Sequence, residues 1–264
     1  TLGYRPHEKY AGYFSGEHQI FDDHLVAFVN GYYAANSSQN VLAPSPLSGF
    51  VAPPTNYWYK TLFPDAAATG QPISVRYRPV EAGPRITYTD FENIHLVAGL
   101  KGRIAESTWH WETSFLYDRT EIDDVQSGGI LTDKYQELLN GTTADTAWNP
   151  FGYTPIGGKS TVNPQGMVDS ITGKATSKEV DSVLGWDFKV DGEIYKLPGG
   201  SLASAVGTEY RRESLDYQPD YAIQNGSVSP FNIQQPLVAN RDSMAVFGEL
   251  QVPIFGEDLK IPAF

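Results

Sequence analysis

Between Phe91 and Arg119 apolar and polar side chains alternate along two consecutive runs. Ile94, Leu96, Ala98 and Leu100 alternate with His95, Val97, Gly99 and Lys101, and Trp109, Trp111, Thr113, Phe115 and Tyr117 with His110, Glu112, Ser114, Leu116 and Asp118. Successive side chains of a strand point to opposite faces, so a period of two predicts two strands joined by the short turn Ala105–Glu106–Ser107–Thr108. One face is apolar with aromatic ends; the other carries most of the charge. Similar runs occur at 180–191, where Leu184, Trp186, Phe188 and Val190 share a face, at 201–217 with Leu202, Val206, Thr208 and Tyr210, and at 241–255 with Met244, Val246, Leu250 and Val252. Residues 9–20 and 24–36 predict a further hairpin around Phe21–Asp22–Asp23, but apolar groups on both sides leave its faces unassigned.

The connections have a rhythm. They are short near 21, 105 and 197, and long at 37–82, 122–177 and 218–240. Loops beyond about 15 residues are uncommon in compact domains. Three of them, strictly alternating with short turns, place all the long ones at one end of the sheet, as in transmembrane β-barrels. The first long loop is rich in Pro, Ser and Gly, with a short β piece expected at 73–79. The second contains LTDKYQELLNG (131–141), a predicted helix with Thr132 or Asp133 as N-cap and Gly141 as its stop. From Trp109 to Tyr117 the chain spans roughly 26 Å, or about 20 Å along a bilayer normal after a tilt near 40°. The apolar faces at 94–100, 109–117, 184–190 and 202–210 carry no charge, as lipid requires, since Lys or Arg at mid-bilayer costs about 2–4 kcal/mol. A soluble sandwich also keeps charge off its core face. The expected fold is therefore all-β: an antiparallel up-and-down transmembrane β-barrel segment of about seven strands.

Composition narrows the function. A net charge of −12 argues against nucleic acid and against electrostatic docking onto anionic lipid. The absence of cysteine excludes disulfides, thiolate metal sites and a cysteine nucleophile. Aromatic residues at 13% and charged residues at 19% favour strands over helices. No apolar run is long enough for a transmembrane helix. The opening TLGYRPHEKY has neither a start methionine nor a signal peptide, so the chain reads as a mature or excised piece.

Several segments resemble TonB-dependent outer-membrane receptors of Gram-negative bacteria: RPVEAGPRITYTDFENIHLVAGLKG (78–102), WHWETSFLYDR (109–119), NPFG (149–152), VGTEYRRES (206–214) and SMAVFGELQVPI (243–254). Their order and spacing match the barrel of that family. The resemblance implies a 22-stranded barrel with an internal plug. It also implies import of a scarce nutrient (siderophore, vitamin or oligosaccharide) with energy relayed by TonB. Nothing here resembles the plug or the TonB box, and the closing strand is missing. Residues 1–264 are thus expected to be an internal part of one barrel domain in the bacterial outer membrane. Its expected partners are lipid, the remaining strands, and TonB acting through the plug.

No catalytic constellation emerges. The chain has no GxSxG, Walker-type or HExxH motif, and no cofactor is expected. His95 and His110 share a predicted face but lack a third metal ligand. Glu112, Asp187, Asp191 and Glu209 could serve as a glycosidase pair, yet polar residues lining a lumen account for them without catalysis. The rival reading is therefore a soluble β-rich carbohydrate-binding or glycoside-hydrolysing protein. Tyr57, Trp58 and Tyr59, in the first long loop, are the candidate ligand contacts, able to stack on a sugar or a siderophore ring. Packing against neighbouring loops is the competing role for them.

Overall fold

The computed structural model describes residues 7–152 and 162–254. Seven long strands form an antiparallel meander: β1 (His7–Phe21), β2 (Leu25–Leu42), β5 (Arg85–Arg103), β6 (His110–Leu131), β7 (Thr172–Leu197), β8 (Gly200–Pro219) and β10 (Leu237–Gln251), paired in that order. Two short strands, β3 (Leu47–Ala52) and β4 (Ile73–Tyr77), form a separate hairpin, and β9 (Val228–Ser229) pairs with the far end of β6. Helices α1 (Tyr57–Leu62), α2 (Pro64–Ala68), α3 (Thr132–Leu139), α4 (Gln165–Ile171) and α5 (Tyr221–Gln224) lie in the long connections. The sheet is open: β1 and β10 are its edges and are exposed along their whole length. No helix among the described residues is long and apolar enough to cross a membrane.

The long strands run further than their alternation suggests. β2 continues to Leu42, β6 to Leu131, and β7 starts at Thr172, so the expected loop at 37–82 gives up its start to the sheet and the one at 122–177 gives up both flanks. β10 begins at Leu237, inside the expected loop 218–240. The helix expected at 131–141 is α3, but Leu131 occupies the N-cap without a side-chain hydrogen bond, in place of Thr132 or Asp133. β4 matches the β piece expected at 73–79.

The hydrophobic core lies away from the middle of the sheet. It gathers where the long connections meet, with Leu47, Val75, Ile130, Tyr135, Leu139, Trp148, Val168 and Ile171 packed together. This cap joins the β2–β5 connection to the β6–β7 connection. Fully buried Asn56 accepts from the Tyr59 N–H through Oδ1, capping α1, and donates through Nδ2 to the carbonyls of Leu139 (2.8 Å) and Trp148 (3.3 Å). Ser45 donates to the Gly128 carbonyl, and Gln136 to that of Val51. Buried backbone groups of long loops are thereby paired, as burial demands.

The rest is a single layer. The accessible surface is 16569 Å². A compact protein of this mass would expose roughly 11,400 Å². Exposed sheet surface contributes to the excess, since β1 and β10 are exposed throughout and alternate residues of β5 from Glu92 to Leu100 are all exposed on the apolar face.

Candidate functional site

The ladder turns seven separate alternations into two faces. Phe14, Gly31, Leu96, Tyr117 and Leu184 lie in one cross-strand row, and Gly16, Val29, Ala98, Phe115, Trp186, Tyr210 and Met244 in the next. This is the apolar face, and it is exposed: Phe115 is 60% accessible, Val246 71% and Met244 76%. The register also settles the first hairpin, sending Tyr10 and Phe14 to the apolar face and Tyr13 and Tyr32 to the other.

Three polar side chains within this band bond inside the sheet. Trp186 Nε1 donates to Thr113 Oγ1 (3.0 Å), and Thr113 Oγ1 donates to the Asp187 carbonyl (2.7 Å). Thr208 Oγ1 donates to the Ala245 carbonyl. A surface built for water has no need of this economy. One built for hydrocarbon does, because an unpaired polar group there costs several kcal/mol.

The band has a sloping upper limit. Moving from the short turns toward the cap, the first Asp, Glu, Lys or Arg on this face is Glu8 on β1, Glu92 on β5, Arg119 on β6, Lys178 on β7, Arg212 on β8 and Asp242 on β10; β2 carries none and turns polar at Ser37, β7 turns polar at Ser182, and His18, Thr113, Ser204 and Thr208 lie within the band. Glu8 faces Ser37 directly, whereas Asp242 traces across the ladder through Arg212, Leu184, Tyr117, Leu96 and Gly31 to Phe14. Phe14 lies six positions beyond Glu8 (14 − 8). Six residues are about 20 Å along a strand, against about 29 Å for six inter-strand spacings, which gives a slope of about 35°. Beyond the limit the face carries ion pairs, Arg119 with Glu121, Lys178 with Glu121 and Asp123, and Arg212 with Asp242.

The opposite face is polar and, on the inner strand β5, less exposed. On β5, residues 91–99 alternate between this sheltered face and the exposed apolar one. His95 stacks on Tyr32 and pairs through Nδ1 with Asp118 (2.8 Å), whose carboxylate also accepts from Asn93, 7% exposed. Lys101 pairs with Glu17, Lys189 with Glu112, Arg211 with Glu209, and Arg241 with Glu213. His95 and His110 do share this face, but eight residues of register separate them, about 26 Å. They do not form a metal pair, and no group of three or more potential metal-binding residues exists among the described residues. Asp187 and Glu209 stand directly opposite one another, the first accepting from Ser114 and the second bound to Arg211.

Tyr57, Trp58 and Tyr59 form the first turn of α1, on the cap. Tyr59 is buried and donates its hydroxyl to the Gln71 carbonyl; Trp58 is half-buried with Nε1 bonded to the Ala147 carbonyl; Tyr57 packs edge-on against Trp58 and stays half-exposed. Phe63 and Phe151 pack nearby with tilted rings, centroids 5.0 Å apart. Deeper in, the Tyr77 hydroxyl donates to Glu81 (2.8 Å). Burial holds the Tyr77 and Tyr135 hydroxyls above the usual phenol range. At the other end of the sheet, Arg103 grips Asp23 through two nitrogens and Glu106 through a third, tying the β1–β2 and β5–β6 turns together and holding both carboxyls below their ordinary range.

The sloping limit escaped the sequence reading because it exists only in register. Its signal was present strand by strand, as the first charge reached along each apolar alternation. Searches of protein-family models, of curated proteins and of solved structures find no match to this chain.

Proposed function

We propose that the chain forms part of the wall of an outer-membrane β-barrel of the TonB-dependent receptor kind. In that role it helps to import a scarce nutrient (siderophore, vitamin or oligosaccharide) with energy relayed by TonB. The apolar face meets lipid, the polar face lines the lumen, and the cap stands outside the cell. The half-exposed Tyr57 and Trp58 are the cap residues placed to touch an incoming solute. No covalent chemistry takes place; Asp187 and Glu209 belong to the lumen lining.

The observation that carries this reading is the slope of the uncharged band. Strands of transmembrane barrels tilt by about 35–45°, so a band level with the bilayer must cross their rows obliquely. A soluble sandwich has no flat boundary to respect, and its core face follows the rows of the sheet. The internally satisfied Trp186, Thr113 and Thr208 support the same solvent.

The test is fractionation. The protein is expected in the outer-membrane pellet, released only by detergent, with a heat-dependent gel mobility when it is part of an intact barrel. A monodisperse, folded protein in plain buffer refutes the proposal. Polysaccharide hydrolysis abolished by Asp187→Asn or Glu209→Gln would establish the enzymatic rival instead.

A further inference from the structure

One row of the polar face carries rings where its neighbours carry charges. Tyr13, Tyr32, His95 and Asp118 are direct cross-strand neighbours on β1, β2, β5 and β6. His95 lies flat against Tyr32, with ring centroids 4.9 Å apart and planes 13° from parallel. Asp118 fixes the imidazole through Nδ1, and its other oxygen accepts from Asn93. Directly opposite residues of an antiparallel pair hold their Cβ atoms about 5 Å apart, so Tyr13 extends the row by one more ring. Tyr13 is 70% exposed and Tyr32 39%. Rings this open add little to the packing of the fold.

The borders of the row suit a solute that is apolar on its face and polar at its rim. Toward the cap, the next residues on this face are Ala11 and Ala34, too small to cover the tyrosines. Toward the short turns they are Ser15 and Asn30, joined by a hydrogen bond from Ser15 Oγ to Asn30 Oδ1 (2.7 Å). That bond occupies the Asn30 oxygen and leaves its amide nitrogen as a donor. A pyranose ring has this character, with C–H bonds on its faces and hydroxyls round its edge. Planar aromatic chelates of iron also stack, but they are anions, and this face repels anions. Lys101, Arg211 and Arg241 are taken up by Glu17, Glu209 and Glu213. Asp118, Asp181 and Glu179 have no Lys or Arg directly across the ladder among the described residues. Burial, together with the charges of Asp181 and Asp124, holds the Glu179 carboxyl above its ordinary range. A wall lined with one sign of charge depletes solutes of that sign beside it.

We propose that Tyr13, Tyr32 and His95 form a stacking platform for an uncharged sugar ring. The part this platform plays in uptake rests on the transport reading above and narrows its solute to a neutral oligosaccharide. The row of rings itself is independent of that reading.

Binding would be measured by titration calorimetry on the purified intact protein. Maltohexaose and cellohexaose are the neutral probes; an oligogalacturonate and a ferric tris-catecholate are the anionic ones. The expected result is binding of a neutral probe, weakened about 10-fold by Tyr13→Ala or Tyr32→Ala and retained by Tyr32→Phe, which keeps the ring. The anionic probes should not bind. Tyr13 is open enough that its loss leaves the fold intact, so a weaker Tyr13→Ala reports on the platform. No binding of either neutral probe, binding that ignores both alanine variants, or equal binding of an anionic probe would each overturn the proposal. Tyrosine-dependent sugar binding by a folded protein from the soluble fraction would uphold the platform and refute the membrane reading. Outer-membrane recovery with sugar binding that ignores both tyrosines would do the reverse.

Discussion

Ala98→Arg separates water from lipid as the solvent of the apolar face. Ala98 is exposed on β5, between Val29 and Phe115 in its row, and lies six residues below Glu92, the limit of the band on that strand. Six residues at a 35° slope put it about 16 Å inside the limit, near the middle of an apolar band roughly 25 Å tall. In water, an exposed substitution away from any hydrogen bond shifts stability by no more than about 0.5 kcal/mol. At mid-bilayer the arginine costs about 2–4 kcal/mol, a change of about 30-fold to about 900-fold in the folding equilibrium. Val238→Arg is the control: Val238 shares the face but stands beyond Asp242, outside the band, and is 65% exposed. Both variants would be unfolded with urea in lipid vesicles, with tryptophan fluorescence as the readout. The expected outcome is a loss of about 2–4 kcal/mol for Ala98→Arg and a near-neutral Val238→Arg. Equal effects at the two positions, or a neutral Ala98→Arg, would refute the placement of the band.

Further perturbations address the other parts. Trp148→Ala removes a fully buried ring from between Tyr77 and Tyr135, with an expected cost of about 3–5 kcal/mol; limited proteolysis should then cut the cap connections first and spare the strands. Asp118→Asn takes the carboxylate from His95 and Asn93, with an expected loss of about 1–3 kcal/mol in urea unfolding; a neutral variant would mean the polar-face network contributes nothing. Tyr135 ionises at about 10, as a free phenol does, when unfolded, while burial raises it when folded. The folded cap therefore keeps a proton that the unfolded chain loses, and stability falls as pH rises above about 10. Unfolding followed from pH 9 to 11 should show this slope, and Tyr135→Phe should reduce it to the share that Tyr77 contributes.

Alternation was readable wherever one face stayed apolar, which is why β5, β6, β7, β8 and β10 could be drawn from the sequence with their faces. It failed where both solvents are the same. In β6, residues 122–127 (IDDVQS) are mostly polar on both faces and read as loop, though they pair fully with β5 and β7. The cap escaped for the opposite reason. Its core residues, among them Leu47, Tyr135, Trp148 and Ile171, are dispersed singly through Pro- and Gly-rich chain, so no period marks them. Tyr59 looked like a loop aromatic because its neighbours in space, Gln71 and Phe151, are distant in sequence. Packing across long separations leaves no local signature.

The ten residues of β7 between Thr172 and Ser182 lift the cap about 27 Å above the limit of the band. At physiological ionic strength the Debye length is about 8 Å, so more than three screening lengths separate Lys134 and Glu137 from any phosphate at the band's edge. In the membrane placement proposed above, the cap is electrically insulated from the bilayer surface, and whatever approaches it meets the ionic conditions of the bulk medium.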